Sequence, residues 1–84
     1  MPQKLLKFTP HALTALGERA IEQQWAEDAV FVPDWVEVDP SPDRRRAFKA
    51  IPSAGNRILR VVYAESVAEI RIITVFFDRN AKRP

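Results

Sequence analysis

The 84-residue chain has no cysteine, two glycines, one histidine and one methionine, and none of its apolar runs approaches the roughly 20 residues a membrane span requires. Without cysteine, disulfide stapling and thiolate chemistry are excluded. The spacing lacks a Gly-rich phosphate loop, a nucleophile elbow and a zinc-site pattern, so no cofactor is expected. Residues 1–10 do not combine a charged start, an apolar segment and a small-residue cleavage site, which leaves the cytoplasm as the expected location and no membrane as a partner. The carboxylates Asp34, Glu37, Asp39 and Asp43 crowd a Pro-rich turn without calcium-loop spacing and read as solvated groups.

What the chain does contain is a charge asymmetry hidden by its net +2. Residues 1–43 hold three basic and eight acidic side chains, net −5, whereas residues 44–84 hold ten and three, net +7. Such segregation attracts a polyanion or an acidic protein, and it equally suits pairing between the two halves of one molecule. At this length one domain is expected over 1–84, with residues 78–84 a polar, mobile tail.

Two runs dominate, Arg57–Ala64 and Ile70–Phe77, each one strand long, rich in β-branched and aromatic residues and joined by a short polar break. They predict a central antiparallel hairpin. A third strand is predicted from Arg44 to Ile51, ended by the loop Pro52–Asn56. Upstream, Thr9 and Pro10 start a helix that runs to about Arg19, with Ala12, Leu13, Leu16 and Ala20 on one side and His11, Ala15 and Glu18 on the other. Gly17 weakens its last turn, and no further glycine is available for a left-handed cap. A second helix begins near Glu22, with Ile21, Trp25, Ala29 and Val32 as its apolar stripe, and stops at Pro33. Lys4–Phe8 reads as a short edge strand and Trp35–Asp39 as an extended segment or strand. The order of elements predicts an α+β fold: two N-terminal helices on one face of a three- to four-stranded antiparallel sheet, β-α-α-β-β-β.

Alternation along the strands divides the sheet into two faces. Phe48, Ala50, Leu59, Val61, Tyr63, Ile70, Ile72, Thr74 and Phe76 are expected under the helices. Arg45, Lys49, Arg60 and Arg71 are expected on the opposite side, as a row of cations among Ile58, Val62, Ile73, Val75 and Phe77. That row is either a solvated face whose aliphatic stems shield the apolar groups or a phosphate-binding surface built from planar arginine forks. His11 is the one side chain of a type that changes protonation near neutrality, and is either a candidate acid–base group or an incidental helix-start residue. Trp25, Trp35 and Tyr63 read as packing groups, with base stacking open for Trp35.

The segments Phe8-Thr9-x-His11-Ala12, Arg19-x-Ile21, Gly55-Asn56-Arg57-x-Leu59-Arg60-Val61-Val62-Tyr63 and Ile73-Thr74-Val75-Phe76 resemble the family catalogued as domain of unknown function 4258. Ala20 stands where that family usually has glycine, so the turn between the helices is expected to be built differently. The family is similar in outline to bacterial toxins of the RelE and ParE type and to the BrnT ribonuclease toxins. That resemblance implies a toxin-like ribonuclease and an antitoxin protein as partner, and the expected function is a domain that binds RNA or cleaves it without a metal ion. Such cleavage needs a base for the 2′-hydroxyl and cations around the phosphate. His11, Arg60 and Lys49 are the candidate catalytic residues, and Arg45, Arg71 and Arg79 the candidate nucleic-acid contacts. A noncatalytic protein-interaction module is the alternative.

Overall fold

The computed structural model describes residues 4–84. Five strands and two helices follow in the order β1 (Leu5–Phe8), α1 (Pro10–Glu18), α2 (Gln23–Phe31), β2 (Trp35–Val38), β3 (Arg44–Ile51), β4 (Arg57–Glu65) and β5 (Glu69–Phe77). The fold is α+β, with one sheet of spatial order β1-β5-β4-β3-β2. It has five strands rather than three or four, because both short segments at the edges pair. All neighbours are antiparallel except β1, which joins β5 in parallel. Neither helix is long and apolar enough to cross a membrane.

Thr9 explains how the chain turns from β1 into α1. Its hydroxyl accepts from the Ala12 amide at 3.1 Å and sits 3.2 Å from the Ile73 carbonyl oxygen, to which it donates, so one side chain caps the helix and ties it to β5. Ala12, Ala15 and Leu16 form the buried stripe of α1, spaced i, i+3, i+4. Ala15 is therefore inside and Leu13 half exposed, the reverse of the expected division. In α2 the buried pair is Ala26 and Ala29, with Val32 beyond the helix end and 65% exposed. Alanines on both buried stripes let the helices lie close to the sheet.

The two helices join through a left-handed cap without glycine. Ile21 N–H donates to the Leu16 carbonyl at 2.9 Å and Ala20 N–H to that of Gly17 at 3.4 Å, while Ala20 takes φ 52°. The turn thus keeps the conformation a glycine would adopt, contrary to the expected rebuilding. Leu16 and Ile21, both core residues, close the motif from the apolar side. An alanine in this region costs about 1–2 kcal/mol. Ala20→Gly is expected to return about 0.4–1 kcal/mol after its own entropic cost, raising the melting temperature by several degrees in a thermal scan.

A β-bulge sets the faces of β5. Leu59 to Val62 pair with Phe77 to Thr74 in one register, and Tyr63 to Glu65 pair with Ile72 to Ile70 in a register shifted by one residue, which leaves Ile73 as the extra residue. Side-chain alternation is interrupted there. Ile70 and Ile72 face the helices, and beyond the bulge Val75 and Phe77 do, whereas Thr74 and Phe76 turn to the open face. Both had been expected in the core. The main core accordingly joins Ala47, Ile51, Leu59, Val61, Tyr63, Ile70, Ile72 and Val75 to the helical alanines.

Candidate functional site

Register assigns the residues of the open face. Phe48 pairs with Arg60 and Trp35, Arg46 with Val62 and Glu37, and Arg44 with Ala64. Arg60 pairs in turn with Phe76, Val62 with Thr74, and Ala64 with Arg71. Phe48 and Val62 are buried yet stand outside the helix-side core, so the sheet has a second, smaller apolar cluster. Trp35 lies flat on Phe48, ring centroids 4.7 Å apart and planes 5° from parallel. Arg60 fills the gap between rings, its guanidinium carbon 5.0 Å from the centroid of Phe76 and 6.0 Å from that of Phe48.

Arg60 is the electrostatic centre of this face. Its Nη1 donates to Asp78 Oδ2 at 3.0 Å, with both side chains about four-fifths buried or more. Its Nε is buried and meets no acceptor among the described residues. A guanidinium with a buried, idle donor is unusual, because burying N–H without a partner costs more than a typical hydrogen bond returns. Burial raises the Asp78 carboxyl, but the Arg60 hydrogen bond, the Asn80 N–H, the Arg60 charge and the Ala81 N–H outweigh it and hold Asp78 below its ordinary 3.8. Asp39 is lowered too, by the Ser41 N–H first and then by Arg46, whose Nε donates to it at 2.7 Å.

A depressed carboxyl contributes stability that is full above its unfolded value and lost as pH falls through the folded one. Melting temperatures from about pH 5 down to about pH 2 should therefore fall steeply in the native chain and less steeply in Asp78→Asn. Equal slopes would show that the pair adds nothing to acid stability.

His11, in the first turn of α1, reaches the rim of this face, with its Nε2 3.2 Å from Thr74 Oγ1. Thr74 lies diagonal to Arg60 across the β4–β5 pair, a separation of about 7–8 Å between such positions. The fold thus brings His11 and Arg60 to one surface. Arg71 shares it but stands at the far end of β5, largely exposed and paired with Glu69 at 3.3 Å. Lys7, the β1 partner of Arg71, extends the basic end.

Lys49 and Arg45 are on the other side. Lys49 pairs with Leu59 and Arg45 with Tyr63, residues of the helix-facing core. Lys49 Nζ donates to the Val32 carbonyl at 2.8 Å, closing the C-terminal end of α2. The expected cation row is therefore corrected: it consists of Arg44, Arg46, Arg60 and Arg71, because Phe48 is buried on the open face rather than beneath the helices. Arg45 instead borders a groove with Lys4, Pro42, Asp43 and Glu65. Burial, and then Glu65, push the nearby Tyr63 phenol above its ordinary value, with Arg45 opposing.

Arg79 follows Asp78 on the C-terminal segment, beside a hollow lined by Asn56, Ile58 and Phe77. That segment makes defined contacts: Asn80 N–H donates to Asp78 Oδ1 at 2.9 Å, and Arg83 bonds Asp34 at 3.2 Å with its guanidinium carbon 6.0 Å from the Trp35 centroid. Arg46 and Asp78 were missed from the sequence. The spacing of Arg44 and Arg46 signals a shared face, but only the position of Phe48 tells which one. Among the described residues no group of His, Asp and Glu has the arrangement of a metal site.

The family model for DUF4258, a domain of unknown function, matches residues 8–77. No curated protein and no solved structure matches the chain.

Proposed function

The chain belongs to the DUF4258 family, and from the chemistry of its open sheet face we propose that it binds and cleaves RNA without a metal ion, as a toxin-like domain acting in the cytoplasm beside an antitoxin protein. The observation that carries this reading is Arg60: a guanidinium beside two phenyl rings, with a buried Nε that meets no acceptor among the described residues, on a face that also holds Arg44, Arg46 and Arg71. A phosphodiester supplies the oxygens such a fork lacks, and the flanking arginines position the backbone without reading bases.

His11 acts as the base. It takes the proton of the 2′-hydroxyl, the 2′-oxygen bonds to phosphorus, and the bond to the 5′-oxygen breaks, with water protonating the leaving oxygen. A 2′,3′-cyclic phosphate and a free 5′-hydroxyl result. Arg60 offsets the charge gathered on the phosphate oxygens in the transition state. Lys49, on the helix side, is not part of this centre.

The test joins RNA binding and cleavage by purified protein at low salt with bacterial growth on induced expression. Binding, a 2′,3′-cyclic end and a growth defect support the proposal; none of the three would overturn it. A noncatalytic interaction module has its own support in β2, the edge strand of the described sheet, where Val36 and Val38 are exposed. Under that reading a partner strand binds equally to native protein and to His11→Ala.

A further inference from the structure

Asp78 is a poor match for the arginine it occupies. It engages a single Nη of Arg60 and leaves Nε, also buried, with no acceptor among the described residues. From Asp78 the chain doubles through the Asn80 turn and reaches Arg83, which lies over Trp35 and bonds Asp34 at the opposite edge of the sheet. Four residues separate the two contacts. The segment therefore spans β4 and β3 from the end of β5 to the start of β2, touching a guanidinium at one end and an indole ring at the other. These are the two groups by which a nucleotide is held, its phosphate on an arginine fork and its base on an aromatic face.

We propose that residues 78–84 form a strap that occupies the open face in cis, with Asp78 standing in for a phosphate on Arg60 and Arg83 standing in for a base on Trp35, so that a single-stranded RNA binds by displacing it. The inference rests on the RNA-binding reading of the same face. Displacement is favoured at Arg60 because a phosphate offers oxygens to Nε as well as to Nη, whereas the carboxylate serves only one donor. The distal anchor is the weaker one. The Arg83 side chain is 65% exposed, and an exposed ion pair contributes little to stability. The strap accordingly opens from its Arg83 anchor toward Asp78. Arg79, Lys82 and Arg83 leave the sheet with it but remain attached, so their charge stays available to the polyanion.

The test uses full-length protein and a fluorescent single-stranded oligoribonucleotide in anisotropy titrations. Asp78→Asn keeps the shape and replaces the charge-assisted bond to Arg60 with, at most, a weaker bond to an amide oxygen. Asp43→Asn changes the net charge equally on the β2–β3 turn, away from Arg60. Asp78→Asn is expected to tighten binding by about tenfold, the scale of one hydrogen bond to a charged group, and Asp43→Asn by less than about threefold. At the other end, Arg83→Ala should weaken binding less than Lys82→Ala although both remove one cation, because only the first uncovers Trp35. The second readout is the Arg60 Nε–H resonance during titration with pyrophosphate, which should respond at lower concentration in Asp78→Asn than in the native chain.

Equal behaviour of Asp78→Asn and Asp43→Asn in both readouts would overturn the strap, even if RNA binding is lost in Arg60→Ala and the RNA reading stands. A response of Arg60 to pyrophosphate that sharpens in Asp78→Asn, with no RNA bound by any variant, would overturn the RNA reading and with it displacement by RNA, and would leave Asp78 as a phosphate mimic on Arg60. A circular-dichroism melt of each variant confirms that folded protein is compared. Should Asp78→Asn unfold, the Arg83→Ala and Lys82→Ala pair decides alone: equal weakening counts against the strap.

Discussion

Arg60→Ala is expected to lower the rate of RNA cleavage by about 10²–10³, the usual loss when one group stabilising transition-state charge is removed. His11→Ala should cost about 10²–10⁴, the range for a positioned acid–base group. The double variant should fall no further than the more severe single one if the two act in one step, because groups that work as a unit are not additive. Arg60→Lys keeps the charge but not the planar fork, and should recover binding more than rate. Lys49→Ala is the internal control. Its Nζ serves the end of α2 on the other side of the sheet, so its cost should appear in stability and not in cleavage. A loss of cleavage in folded Lys49→Ala equal to that in Arg60→Ala would remove the open face from its assigned role. The readout is initial rate on a defined oligoribonucleotide, with binding measured separately so that a loss of affinity is not counted as a loss of rate.

Phe48→Ala carries the largest expected effect on stability. The ring is 2% exposed, stacks on Trp35 and borders Arg60, so its removal leaves a cavity and strips one wall from the arginine. Loss of a buried phenylalanine costs about 3–5 kcal/mol. A domain of this kind holds about 5–15 kcal/mol in all, so the variant should be marginal or unfolded in a urea titration. Phe48→Leu retains most of the volume and should stay folded, while the indole of Trp35 loses its stacked neighbour. Its Trp35 should become more accessible to acrylamide, read in a Trp25→Phe background to isolate the signal. If Phe48→Ala behaves like a surface substitution, costing less than about 0.5 kcal/mol, the second apolar cluster does not hold the sheet together.

Much of the backbone was legible in the chain. Thr9-Pro10 signalled the start of α1, Pro33 the end of α2, the loop Pro52–Asn56 the end of β3, and the β-branched runs gave β4 and β5 within a residue of their observed bounds. Local signals suffice there because caps, prolines and branched side chains act on their immediate neighbours. The left-handed turn at Ala20 was not legible. An alanine has no preference for φ 52°, and the conformation is imposed by the burial of Leu16 and Ile21 in the core and by the bonds that close the helix end.

Facing of the strands was legible only in part. Arg60 and Arg71 were correctly expected to share the side away from the helices, since Leu59, Val61, Ile70 and Ile72 are core residues on any reading of their runs. Phe48 was misassigned because a buried phenylalanine looks the same in sequence whichever face buries it. Lys49 and Arg45 were misassigned with it, since alternation ties their direction to that of Phe48. The bulge at Ile73 was invisible for a different reason: an unbroken run of apolar residues carries no mark of where one extra residue is inserted, and every side chain beyond that point reverses.

By itself the sequence determined the elements, the α+β class, the acidic and basic halves and the candidacy of His11 and Arg60. Tertiary structure decided which side of the sheet each cation faces, that β1 runs parallel to β5, and that the C-terminal residues return to Arg60 and Trp35. The physical reason is range. Propensity and capping act over a few residues, whereas the direction of a side chain in a sheet and the partner of a buried guanidinium depend on contacts made between segments far apart in the chain.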